Sequence, residues 1–260
     1  MTHSPSSSSK SVWTARDLRG DPHAAKDKAE RVRAMFAAIA PRYDLNNRIH
    51  SFGRDQAWRR RAVSLCRVSP DTDILDVACG TGDLSEAFAR ARPRSVVGVD
   101  FTEPMLALAR RKAARRVQAA DMPRPRYQLG DAMNLPFADA TFDVVSIAFG
   151  LRNLAAADQA LREFRRVLRP GGQLVVLEFG RPRQALFGAL SRLYCQTLMP
   201  ITASVLAGDR SGAYRYLPRS VDTFSEPGEI MRAIERAGFG DVSRHSMTFG
   251  ICDAYHALAN

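Results

Sequence analysis

Between residues 73 and 179 short apolar runs alternate with longer stretches whose apolar residues recur every three to four positions. "DILDVAC", "SVVGVD", "RYQLG", "FDVVSIAF" and "QLVVLEF" have strand length, while "LSEAFARA", "EPMLALARRKAARR" and "ADQALREFRRVL" carry a helical period. Strand and helix alternating in this way predict an α/β domain, with a mostly parallel sheet covered by helices on both faces. The link between the third and fourth strands, "DAMNLPFADAT", is short and contains Pro136, so any helix there is brief.

The same patterning organises the flanks. "ERVRAMFAAIA" puts Val32, Met35, Phe36 and Ile39 on one face and stops at Pro41, which reads as a docking helix; "RDQAWRRRAVSL" predicts a second. The stretch between them, "PRYDLNNRIHSFG", is too polar and aromatic for a plain connector. After the fifth strand, residues 181–224 form an insertion in which Leu186, Phe187, Leu190, Leu193 and Tyr194 recur at helical spacing, either lining a groove or packing on the core. The chain closes with a helix in "EPGEIMRAIERAGF" that stops at Gly238, then two strands around "DVSRHSMTFGICDAYHAL". Residues 1–27, with "SPSSSSKS" at their heart, have too few apolar groups for a core or a signal peptide and are expected to be a disordered arm. An organelle transit segment is the lesser alternative for this Ser-rich stretch. The expected divisions are therefore the arm, a helical lid segment at 28–70, and a main domain at 71–260.

The first strand runs into "DVACGTGDL", where Gly80 and Gly82 permit a tight turn and close approach of a ligand before a helix begins. Asp100 ends the second strand, where an acid beside such a loop can accept both hydroxyls of a ribose. A dinucleotide site would require a third glycine, and Asp83 would repel a phosphate at the helix start. No G-K-[ST] follows either, which excludes a phosphate-binding P-loop. S-adenosylmethionine fits better, because it offers a ribose and an adenine without phosphate and carries a sulfonium and an ammonium. Asp76 and Asp83 flank the loop at its methionine end, and Asp131, after the third strand, is placed to accept the adenine amino group beside the Ala132 amide. Each of these acids also has an ordinary reading as a turn or cap residue.

Composition narrows the classes further. The chain has 260 residues, 45% hydrophobic and 25% charged, and no stretch long and apolar enough to read as a membrane-spanning helix. Its net charge of +11 is spread over many helices rather than gathered in one tract, and the basic residues are not interleaved with aromatics as a single-strand binding surface requires. Nucleic acid is thus not expected as a partner, although a basic RNA-binding module stays as the contrasting class. The four cysteines, Cys66, Cys79, Cys195 and Cys252, form no C-x-x-C pair, which suggests neither zinc nor disulfides and fits a reducing compartment.

With "ILDVACGTGDL", "VVGVDFTEPML", "GDAMNLPFADATFDVVSIAFGLRNL" and "LRPGGQLVVLEF" in place, the chain resembles the class I S-adenosylmethionine-dependent methyltransferases. More narrowly it resembles the ubiquinone and menaquinone biosynthesis C-methyltransferase family, through "FGLRN", "YDLNNRIHSFGRDQAW", "YRYLPRS" and "MTFGI", over residues 28–251. The resemblance implies a Rossmann-like seven-stranded sheet with the last strand antiparallel and methyl transfer to a ring carbon of a prenylated quinol. Cofactor positions implied by it fall on Thr81, Asp100, Asp131 and Ala132. Ala148 stands where some relatives carry a serine, so a hydroxyl contact with the cofactor is absent there. His50 and the ending "GICDAYHALAN" also depart from the common pattern.

On the acceptor side the expectation centres on Arg152 and Asn153, polar residues at the end of the apolar fourth strand. A guanidinium could hold a developing phenolate, and the amide could orient the ring oxygen. The competing reading pairs Arg152 with a surface acid and lets Asn153 cap the next helix. Tyr43, Asp44, Asn47 and His50 lie in the segment expected to fold over the pocket, with His50 a candidate base. A cytoplasmic protein peripheral to the anionic face of the inner membrane is expected, and a homodimer is compatible with everything above.

Overall fold

The computed structural model describes residues 12–14, 16–115, 122–180 and 212–260. The five apolar runs become β1 (Asp73–Val77), β2 (Ser95–Asp100), β3 (Arg126–Leu129), β4 (Phe142–Ala148) and β5 (Leu168–Phe179), followed by β6 (Phe239–Met247) and β7 (Cys252–Ala259). They form one sheet in the order β3-β2-β1-β4-β5-β7-β6, in which β7 alone runs against its neighbours. Ile74, Leu75, Val77, Val144, Val145 and Ile147 are fully buried, so both faces of the central strands are covered. Continuous rather than alternating apolar runs are what such doubly covered strands require. The order reverses between β1 and β4, and ligands gather at the carboxyl ends of strands at such a reversal.

Eight helices are described: α1 (Lys28–Ile39), α2 (Tyr43–His50), α3 (Arg54–Leu65), α4 (Asp83–Ala89), α5 (Glu103–Arg115), α6 (Ala157–Val167), α7 (Ala213–Asp222) and α8 (Pro227–Arg236). The amphipathic α6 shows the general principle: Ala160, Leu161, Phe164 and Val167 are buried on the sheet, while Asp158, Arg162 and Arg165 point outward. The stretch "PRYDLNNRIHSFG" is itself helical over most of its length as α2, and α1 and α2 together roof the carboxyl ends of the central strands. Strand β5 starts earlier than its apolar run, at Leu168, because "LRPGG" still pairs with β4 through Phe142 before a register shift. Gly171, at φ +73°, is the residue that allows this irregularity.

The arm differs from its sequence expectation. Its described part folds into short 3-10 turns at Asp17–Arg19 and Pro22–Ala24. Trp13 is buried to 1% exposure and stacks on Tyr216 of α7 with ring centroids 4.6 Å apart, and Arg31 of α1 lies over the indole at 5.3 Å. Arg31 also pairs with Asp17 and Asp27, at 3.1 and 2.7 Å. A single indole supplies apolar area that a count of apolar residues undervalues. The apolar stripe expected at Leu186, Phe187, Leu190 and Leu193 lies outside the described residues. Among the described residues no helix is long and apolar enough to cross a membrane.

Trp13→Ala is expected to lower the free energy of unfolding by about 3 kcal/mol, the usual cost of emptying an aromatic site. Denaturant unfolding measures it, and a midpoint equal to that of the wild type contradicts a packed arm.

Candidate active site

A cleft opens at the carboxyl ends of β1, β2, β3 and β4, with about 770 Å³ of empty space when its solvent-open mouth is counted. Gly80, Asp100, Asp131, Ala132, Ala148 and Asn153 line it from below, and Ala29, Val32, Phe36 and Tyr43 cover it from α1 and α2. Most of its wall is apolar with a few polar groups converging, as small-molecule sites usually are.

The glycine loop after β1 is conformationally demanding. Ala78, Gly80 and Gly82 all take left-handed backbone angles, φ +50°, +56° and +84°. At Gly82 a Cβ would lie 2.8 Å from Cζ of Tyr127, so the helix α4 can start there only from glycine. The Gly80 N–H donates to Oδ2 of Asp100 at 2.8 Å, and the Thr102 N–H donates to Oδ1 at 2.8 Å. Two amides thus fix the carboxylate at the cavity floor, with further acceptor capacity on each oxygen. Burial raises the Asp100 pKa, while these amide bonds oppose the rise. The position of a third glycine is taken by Ser85, whose hydroxyl donates to Asp76 at 2.6 Å. That arrangement leaves no pyrophosphate cradle and fits an adenosyl ligand lacking phosphates.

Asp76 is 1% exposed and is not among the cavity-lining residues. The Ser85 and Ser146 hydroxyls donate to its two oxygens at 2.6 and 2.8 Å, and burial pushes its carboxyl up to about 6. It is a buried acid under the loop rather than a wall of the cavity. Thr81 and Asp44, expected on the cofactor and acceptor sides respectively, bond each other: Oγ1 of Thr81 donates to Oδ1 of Asp44 at 2.5 Å. Lys112 of α5 joins Asp44 at 2.9 Å and Asp83 at 2.6 Å, and Gln56 of α3 donates to Asp83 at 2.9 Å. This chain of polar contacts clamps the lid to the loop. Asp131 accepts the Met133 N–H at 2.9 Å, which shapes the turn after β3 beside the buried Ala132.

At the end of β4, Phe149 is left-handed (φ +56°), and a Cβ on Gly150 would stand 2.8 Å from Cβ of Ala78. The two strand ends therefore meet closely, and a 3-10 turn, Leu151–Asn153, follows. Arg152 does not project into the cavity as expected. It is 3% exposed, pairs with Oε1 of Glu178 at 2.6 Å, donates to the Phe149 carbonyl at 2.7 Å, and lies 5.1 Å over the Phe179 ring. Glu178 is fully buried at the end of β5, and the register that sets Ala148 beside Leu177 brings it under this turn. A buried carboxylate demands a partner, and Arg152 supplies it. Asn153 does reach the cavity; its Nδ2 donates to the Phe149 carbonyl at 3.1 Å and its Oδ1 accepts from the Tyr216 hydroxyl at 3.0 Å. It is not the cap of α6, which begins at Ala157 after Ala156.

Tyr43 lines the cavity, and burial raises its phenol pKa, so it keeps its proton near neutral pH. His50, at the far end of α2, is not among the lining residues, and burial lowers its pKa. Four residues that sequence reading passed over complete the frame: Lys28, Lys112, Glu178 and Tyr216. Lys28 opens α1 and is buried, donating to the carbonyls of Arg152 at 2.9 Å and Leu154 at 2.6 Å; burial draws its pKa down to about 8. The signal for Glu178 was a lone charge inside "QLVVLEF", and Tyr216 lay within "YRYLPRS".

Residues 24–259 match the ubiE/COQ5 methyltransferase family. The demethylmenaquinone methyltransferase of Thermus thermophilus is 48% identical over 218 residues, covering 84% of this chain and 96% of that protein. The ubiquinone/menaquinone biosynthesis C-methyltransferase of Geobacter sulfurreducens is 44% identical over 231 residues, covering 88% of both chains. In fold the chain is similar to a solved S-adenosylmethionine-dependent methyltransferase of Thermotoga maritima, described as a possible histamine N-methyltransferase, with TM-score 0.61, 18% identity, and coverage of 88% of this chain and all of that one. The match over nearly the whole main domain, together with the glycine loop, Asp100 and the turn after β4, establishes that this chain belongs to the ubiE/COQ5 methyltransferase family.

Proposed function

We propose that this chain transfers the methyl group of S-adenosylmethionine to a ring carbon of a prenylated quinol, converting demethylmenaquinol to menaquinol, with the benzoquinol precursor of ubiquinone as a second acceptor. The observation that carries this reading is one mostly apolar cavity with Gly80, Asp100 and Asp131 on its floor and a polar edge formed by Asn153 and Tyr43. The names of the Thermus and Geobacter relatives support the acceptor class.

Bound S-adenosylmethionine supplies an activated methyl group on a sulfonium that is its own leaving group. The chain's residues then have to bind, orient and exclude water. Asp100 would accept the ribose hydroxyls, Asp131 and the Ala132 amide would take the adenine edge, and Gly80 and Gly82 would let the backbone approach. Asp76 is a buried acid beneath the loop and would favour the positive methionine end there. The apolar side chains of the roof keep water from the ring, and positioning of the quinol carbon is the main contribution to rate. Asn153 and the protonated Tyr43 offer hydrogen bonds to the acceptor oxygens, while Arg152 holds Asn153 in place through the turn. With an acceptor lodged in lipid, the protein works at the cytoplasmic, anionic surface of the membrane, and its net charge of +11 favours that surface.

The direct test is the quinone content of a strain lacking this gene. A demethylated quinone should accumulate and disappear on complementation; an unchanged profile contradicts the assignment and favours a small soluble acceptor.

Asp76 gives a second test. Its folded pKa of about 6 exceeds the unfolded 3.8, so the folded state holds more protons between these values and stability falls as pH rises from about 4 to about 6. Asp76→Asn removes that cost. Its apo protein should gain on the wild type above pH 6 in thermal midpoint, while calorimetry should show S-adenosylmethionine binding roughly tenfold weaker, a loss of about 1.4 kcal/mol. An equal midpoint difference at pH 4.5 and 7.5 contradicts it.

A further inference from the structure

Among the described residues five large apolar side chains are exposed, and three of them sit close together in sequence: Leu45 at 54%, Ile49 at 38% and Phe52 at 81%. Leu45 and Ile49, four residues apart, share one face of α2, and Phe52 is exposed in the turn that follows it. The opposite face belongs to the site: Tyr43 lines the cavity and Asn46 is buried. Between residues 41 and 61 every exposed charged residue is an arginine, at positions 42, 48, 54, 60 and 61. The acids of the same stretch turn inward, Asp44 to Thr81 and Lys112, Asp55 to Arg59 at 2.7 Å.

An outward face that is apolar at its centre, cationic at its rim and free of exposed acid has the composition of a helix lying in a membrane interface. A uniformly positive rim around an apolar centre matches a sheet of lipid phosphates over hydrocarbon. We propose that α2 and the turn after it are the docking face for an anionic bilayer. Leu45, Ile49 and Phe52 enter the headgroup region, and Arg42, Arg48 and Arg54 meet lipid phosphates. The proposal rests on the quinol reading in that such an acceptor is dissolved in the bilayer. It adds that the helix roofing the cavity is the one that touches lipid, so a prenylated ring passes from membrane to cavity beside the lid.

The test uses the full chain with vesicles of phosphatidylglycerol and phosphatidylcholine in equal parts, and with phosphatidylcholine alone. The variant Leu45→Gln/Ile49→Gln/Phe52→Gln should bind the anionic vesicles at least about tenfold less than the wild type, with S-adenosylmethionine affinity within about twofold. Phe52→Gln alone, at the most exposed of these positions, should show a smaller loss in the same direction. Arg42→Gln/Arg48→Gln/Arg54→Gln should abolish the preference for anionic over neutral vesicles. A wild type that binds while the apolar triple variant binds equally well overturns this assignment and leaves the quinol reading intact. A wild type that ignores both vesicles overturns the assignment as well, and the quinone profile of the deletion strain then decides the quinol reading separately. A matching loss of cofactor affinity in the triple variant also overturns it, since the face would then serve lid packing.

Discussion

The buried pair of Arg152 and Glu178 is the interaction on which the β4 side of the cavity depends. Neither group reaches water, and each satisfies a charge the other would leave stranded in the interior. The pair also shapes backbone, because Glu178 accepts the Arg152 N–H at 3.2 Å as well as its side chain, and Arg152 in turn holds the Phe149 carbonyl. Replacing a buried ion pair with apolar residues is often neutral for stability, so such a pair is better understood as fixing one geometry than as adding stability. Here the geometry fixed is the turn that carries Asn153 into the cavity. Three other elements converge on it: Lys28 from α1 on its carbonyls, Tyr216 from α7 on Asn153, and, through Tyr216, Trp13 of the arm.

Around that turn backbone strain is also present where the two central strands end. Ala78 and Phe149 are non-glycine residues with left-handed angles, each costing of order 1 to 3 kcal/mol, and Gly150 leaves no room for a side chain between them. Strain of this kind persists only when the surroundings over-determine it. The surroundings are visible: a fully buried sheet beneath, the Phe149 and Phe179 rings 4.5 Å apart to one side, and the lid clamped by Asp44, Lys112 and Thr81 above. The result is a floor and a roof held in fixed relation, which is what alignment of a ring carbon with a methyl group requires.

The sheet and its helices were legible in the sequence because doubly buried strands and amphipathic helices leave unmistakable periodicities, and the loop-to-Asp100 spacing follows from strand order. The partner of Arg152 was not legible. It depends on the pairing of β4 with β5, a register that local patterning does not encode, so a buried acid was indistinguishable from a surface one. Asn153 lines the cavity at the end of β4, where ligands gather at strand ends, and Tyr43 lines it from α2, the segment expected to fold over the pocket. Thr81 and Asp44 are separate candidates in the sequence, and their bond to each other is hidden there because it joins the lid to the loop across 37 positions. Lys28 reads as an ordinary solvated lysine until α1 is laid on the turn, and Trp13 was diluted by the serines before it.

If Arg152 acts through the turn, removing one charge and removing both must have different consequences. Steady-state methyl transfer and unfolding free energy should be measured for Arg152→Met, Glu178→Leu and the double variant. Either single change should cost about 3 to 5 kcal/mol of stability and most of kcat, and the double variant should recover the greater part of both. A double variant that regains stability but stays as inactive as Arg152→Met would contradict this account, because the guanidinium would then be acting on the acceptor itself.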